Sequence, residues 1–277
     1  MELGIFSRTY QLDGIDRILA QAAQDGFQTV QFNFSSAGLP SLPKEWPETA
    51  IKGVMASADR SGLSICALSG TYNMAHPDAA RRGSDRIGFT NVVRAAQLMR
   101  VPLVTLCTGS RDADNMWAPH PDNGSPEAWS ALRGELDFAL ELAEQYGIAL
   151  GVEPEHGNVV ADARMARRLL DEVESPRLKI VMDAANLLPP GSQARQHEVM
   201  AEAVTLLGAD LALVHTKDVG PSGEAVAAGR GVVDFRNFLK AIASTRYRGP
   251  LVSHNFPERD AAYVSGFLRG VLDEVMS

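Results

Sequence analysis

The chain has 277 residues, 45% of them hydrophobic, with a formal net charge of −8 and a pI near 5.3. This acidic balance argues against a nucleic-acid partner, because a phosphate backbone demands a basic face. No apolar run reaches the ~20 residues that span a bilayer, and the opening MELGIF enters a strand with no basic or long apolar leader, so a cytoplasmic protein with no membrane partner is expected.

Strand-like and helix-like segments alternate along the chain. Residues 3–6 read as a strand, and the apolar period over 15–23 reads as a helix stopped by Asp25-Gly26. A strand at 29–32 leads through a Pro-rich connection to a helix at 49–61, ended by Gly62. Strand 65–68 precedes a helix over 84–99, and strand 103–107 precedes a helix over 126–146, stopped by Gly147. The remaining strands are 149–152, 179–182, 211–214 and 251–253, followed by helices over 161–173, 195–207, 235–244 and 260–276. Cys66 and Cys107 each lie inside an apolar run and read as buried, reduced thiols.

Eight strand–helix units imply parallel strands with right-handed crossovers. The first strand is followed by SRTYQLDG, which lacks the glycine-rich phosphate turn of an open doubly wound sheet. With no linker or low-complexity stretch, the expectation is α/β, a (β/α)8 TIM barrel, as one domain over residues 1–277.

In such a barrel the chemistry sits at the C-terminal ends of the strands. Four consecutive apolar runs end in metal-type side chains: Glu153, Asp183, His215 and His254, at intervals of 30, 32 and 39 residues. One alone could cap a helix or be a satisfied core histidine. Together they suggest that neighbouring staves deliver two carboxylates and two imidazoles to one divalent ion, with Mn²⁺ or Zn²⁺ favoured, Co²⁺ or Fe²⁺ acceptable and Mg²⁺ less suited.

These residues also carry a resemblance. VEPE around Glu153, MDAANL around Asp183, VHTKD from His215, GRGVVDF and the RGPLVSH run to His254 resemble the xylose-isomerase-like superfamily of sugar isomerases and epimerases. The likeness extends over essentially the whole chain. It implies a divalent metal held by Glu153, Asp183, His215 and the residue at 254. The ketose epimerases of that superfamily carry a glutamate at the last position and move the proton with two glutamates; His254 departs from this pattern.

Candidates for the remaining roles lie in the loops. Glu155 and Lys217 join Glu153 as catalytic candidates, Lys217 as a group that would stabilise a developing enolate. His156 and Asn186 stand beside them as substrate contacts. The long fourth loop offers Arg111, Trp117 and His120, the third offers Tyr72 and Asn73, and Arg230 sits in a Gly-Arg-Gly turn where barrels often bind phosphate. The expected reaction is isomerisation or epimerisation of a sugar, polyol or keto-sugar by metal-assisted enolisation. A lyase or dehydratase on a keto-sugar, a non-catalytic sugar-binding subunit and a metal-dependent phosphodiesterase remain as alternatives. Homo-oligomerisation is left open.

Overall fold

The computed structural model describes residues 1–188 and 191–276. Seven strands come first: β1 (Leu3–Phe6), β2 (Thr29–Phe32), β3 (Ser64–Ser69), β4 (Leu103–Cys107), β5 (Ala149–Glu153), β6 (Leu178–Asp183) and β7 (Leu211–His215). The short strands β8 (Asp218–Val219) and β9 (Ala225–Val226) form an antiparallel ribbon, and β10 (Leu251–Ser253) completes the main sheet. Because β1 pairs in parallel with both β2 and β10, the sheet closes in the order β1-β10-β7-β6-β5-β4-β3-β2. Among the described residues, eight strands thus form a single-domain (β/α)8 barrel, as expected.

The helices are α1 (Ile15–Gln24), α2 (Glu48–Ser61), α3 (Ala79–Leu98), α4 (Pro126–Tyr146), α5 (Ala163–Val173), α6 (Gln196–Leu207), α7 (Phe235–Ala243) and α8 (Ala261–Met276). Neighbours such as α1 and α2, α3 and α4, and α7 and α8 pack on one another around the outside. The period of two along a strand divides the core. Outward residues such as Phe32 join Phe89, Phe235 and Phe238 in the layer under the helices. Inward residues Ala67, Leu103, Val181, Leu213 and Val252 fill the barrel floor. Gly151 belongs to this floor: a Cβ there would lie 2.8 Å from Val181 Cγ2 and 3.2 Å from Leu103 Cδ1.

Local signals fix most boundaries. Ser125 caps α4 by accepting from Ala128 N at 3.1 Å, and Gly147, at φ +69°, ends it. Helix α3 begins five residues before its expected start, where Asp78 accepts from Ala80 N. Its first turns, Ala-Ala-Arg-Arg-Gly-Ser, show no apolar period because they spend their side chains on ion pairs instead. Both cysteines are free, Cys66 half-buried and Cys107 buried. No described helix is long and apolar enough to cross a membrane.

Candidate metal centre and its cleft

The strand period places the candidate ligands. Asp183, His215 and His254 each lie two residues beyond a floor residue, Val181, Leu213 and Val252, and therefore point to the same interior. Glu153 stands likewise above Gly151. Parallel pairing levels the ends: Asp183 is opposite His215, and Val252 is opposite the same histidine. One donor atom from each of Glu153, Asp183, His215 and His254 lies within 4.8 Å of all the others.

The four groups bond to one another in pairs. His215 Nδ1 meets Glu153 Oε1 at 3.1 Å, and His254 Nε2 meets Asp183 Oδ2 at 3.1 Å. The two imidazole rings are 4.5 Å apart. Burial alone would push both carboxyls up. The imidazoles outweigh it at Glu153, and Lys217 with the imidazoles outweighs it at Asp183, so both stay below the usual carboxylate range. Burial pulls His215 down, but the charges of Glu153 and Asp183 prevail and raise it. His254 is lowered, by burial first and then by the charge on His215.

This donor set fits a divalent ion. Ligand atoms about 2.0–2.2 Å from a shared centre stand at most about 4.5 Å apart, so small side-chain rotations suffice. Two oxygens and two nitrogens suit a borderline transition ion. Two buried carboxylates held together with no arginine among their bonded partners are what such a charge would neutralise.

A second layer holds these four side chains in place. His215 Nε2 bonds Gln31 Oε1 at 2.8 Å, and Gln31 Nε2 donates to Thr105 Oγ1 at 3.0 Å, all inside the barrel. The amide therefore fixes the proton on Nε2 and leaves Nδ1 for the centre. Asn186 Nδ2 donates to Glu153 Oε1 at 2.7 Å, while its Oδ1 accepts from Lys217 Nζ. Glu155 is half-buried on the cleft wall, and burial, with Glu153 nearby, raises it to about 7.

The centre opens into a cleft of about 910 Å³. Glu153, Glu155, Asn186, His215, Lys217, His254 and Trp117 line it, the last 46% exposed. Several expected substrate contacts do not. Tyr72 is buried and donates to Glu135 at 3.1 Å in the helix layer. Asn73 spends its amide on the fourth loop, accepting from Ser110 N and donating to Asp112 O. Arg111 donates to Ala75 O and faces a separate groove beside α4. His120 Nδ1 accepts from Asp122 N and caps a turn, and His156 is exposed outside the cleft lining.

Arg230 donates to Asp260 and covers the Tyr263 ring at 4.3 Å. The turn around it is no phosphate cradle. The amides of Gly229, Gly231 and Val233 all donate to the buried carboxylate of Asp218, at 2.9–3.1 Å. Sequence reading missed Gln31, Arg8, Thr9, Met116 and Phe256 on or behind the wall. A polar Gln31 inside an apolar strand was the one available signal.

Fold and site together define a class: a (β/α)8 barrel with a metal-type donor cluster at the strand-end rim. Residues 19–270 match the xylose isomerase-like TIM barrel family, and the chain belongs to it. No curated relative matches it at the sequence level. Among solved structures, a D-tagatose 3-epimerase-like protein is 19% identical with a TM-score of 0.79, covering 99% of this chain and 98% of that one. The D-psicose 3-epimerase of Clostridium cellulolyticum H10, solved with D-tagatose, is 17% identical, TM-score 0.74, covering 98% and 99%. The IolI protein, solved with a zinc atom, is 15% identical, TM-score 0.73, covering 99% and 98%. At these identities the likeness is one of fold.

Proposed function

We propose that the protein is a divalent-metal-dependent isomerase or epimerase of a sugar, polyol or keto-sugar, working by enolisation. The observation that carries this reading is the convergence of Glu153, Asp183, His215 and His254 within 4.8 Å at the floor of a polar cleft. Those four residues would hold the ion, Mn²⁺ or Zn²⁺ by donor type. A bound ion supplies Lewis acidity to a substrate carbonyl and its neighbouring hydroxyl. The sugar-epimerase neighbours support a carbohydrate substrate.

The chain's own groups divide the remaining work. Glu155, raised to about 7, is suited to take the α-proton near neutral pH and return it. Lys217, held by Asn186 on the same wall, places a positive charge where an enolate oxygen develops. Asn186 orients the Glu153 carboxylate while tethering Lys217. Trp117 offers an apolar ring face to the sugar. Because a histidine stands at 254, the proton path has carboxylates on one side, which favours a one-base isomerisation or a lyase over a symmetric two-base epimerisation.

The test is solvent-deuterium incorporation at the carbon next to the carbonyl of ketoses such as D-fructose and D-tagatose, followed by NMR with Mn²⁺ added. Glu153→Gln is expected to abolish exchange with an unchanged circular dichroism spectrum. Full exchange by that variant, or by metal-stripped protein, refutes the reading.

A further inference from the structure

We propose that the outer end of the cleft is a carboxylate subsite built from Arg8 and Thr9, so that the substrate is an acidic sugar, a keto-uronate rather than a neutral ketose. This rests on the enolisation reading above and names the substrate class for the same cleft. Both residues line the cleft, on the turn that directly follows β1. Arg8 has no acidic partner among the described residues, although its chain neighbour Gln11 binds Glu258. Thr9 is only 8% exposed, and its Oγ1 is one of two buried side-chain polar atoms without a hydrogen-bond partner among the described residues. A buried, unsatisfied hydroxyl costs about 1–3 kcal/mol, and a ligand oxygen held by Arg8 would recover that cost once the Thr9 side chain turns toward the cleft.

The turn is held rigidly. Ser7 Oγ accepts from Asn33 N at 3.1 Å and from Ser36 Oγ at 2.8 Å. Gln11 N donates to Glu258 at 2.6 Å, and Gln11 Nε2 donates to Arg8 O at 3.4 Å, tying the turn to the segment after β10. That segment begins at His254, whose ring lies 6.3 Å from Phe6, two residues before Arg8. Arg8 and Thr9 share the lining of one cleft with His254.

Charge favours one negative group. A divalent ion balances Glu153 and Asp183, and Lys217 stands against Glu155. Arg8 is the remaining cation on the cleft wall. A guanidinium beside a hydroxyl donor matches a carboxylate, which accepts from both.

The experiment is calorimetric titration of the Mn²⁺-loaded protein with D-fructose, D-fructuronate and D-fructose 6-phosphate, which differ at the terminal carbon. D-fructuronate is expected to bind about tenfold more tightly than D-fructose. Arg8→Met is expected to bring the two within twofold while leaving the Mn²⁺ affinity unchanged. Thr9→Val should weaken D-fructuronate several-fold and leave D-fructose alone. Equal binding of the three, no binding of any, or a preference that survives Arg8→Met overturns the subsite. Tighter binding of the phosphate than of D-fructuronate overturns the carboxylate assignment. Deuterium exchange, read separately, decides the enolisation reading: acid-selective binding without exchange sinks that reading and leaves the subsite standing.

Discussion

His215 shows how far one side chain depends on its surroundings. Its Nδ1 faces Glu153 in the four-residue cluster while Gln31 Oε1 meets Nε2 and Thr105 fixes the amide. Replacing Gln31 with Leu keeps the volume and removes the acceptor. Mn²⁺ affinity is expected to fall about ten- to hundredfold, measured by metal titration of the variant. Gln31→Glu, which keeps an oxygen facing Nε2, should lose less. Asn186 sits in a comparable position beside Glu153, joined also to Lys217. Neither pairing can be read from the chain, because Gln31 and His215 are 184 residues apart.

At the scale of elements, α3 and α4 are joined by a buried ion cluster. Glu135 on α4, 3% exposed, accepts from Arg82 and Arg86 of α3 at 2.8–3.1 Å and from Tyr72 at 3.1 Å. Removing the carboxylate leaves two guanidinium groups and a phenol without their partner. Glu135→Leu is expected to cost about 3 kcal/mol, read as a lower urea midpoint, with metal affinity preserved because the cluster lies outside the barrel interior. On β5, Gly151→Ala would press a methyl group against Val181 and Leu103 directly beneath Glu153. A loss of about 1–3 kcal/mol is expected from the same urea titration. The Gly-Arg-Gly turn belongs to this scale too, since its amides bind Asp218 and leave none for a phosphate.

For the whole molecule, the proposed metal binding links loading to stability. Against the pull of burial, His215 is raised by Glu153 and Asp183, so the stability it contributes is fully present below the ordinary histidine value of 6.5 and is lost as pH rises through its raised value. Metal binding needs that nitrogen free of its proton. The gain in melting temperature on adding Mn²⁺ is therefore expected to grow as pH rises through that raised value. At a hundredfold excess over Kd the stabilisation is about 2.7 kcal/mol. Calorimetry at several pH values, with and without a chelator, checks this; a gain independent of pH contradicts it.

The alternation of strands and helices, the barrel they close and the four metal-type side chains at its rim were all legible along the chain. Those follow from local periods, caps and repeated strand ends, which are properties of short stretches of chain. Tertiary structure alone decided that Tyr72, Asn73, Arg111 and Arg230 are tied up in the scaffold and that Gln31, Arg8 and Thr9 face or brace the cleft. A loop side chain has many polar partners within reach, and which one it takes depends on segments distant in sequence. A strand residue has only two faces to choose between, and its neighbours' polarity reveals which.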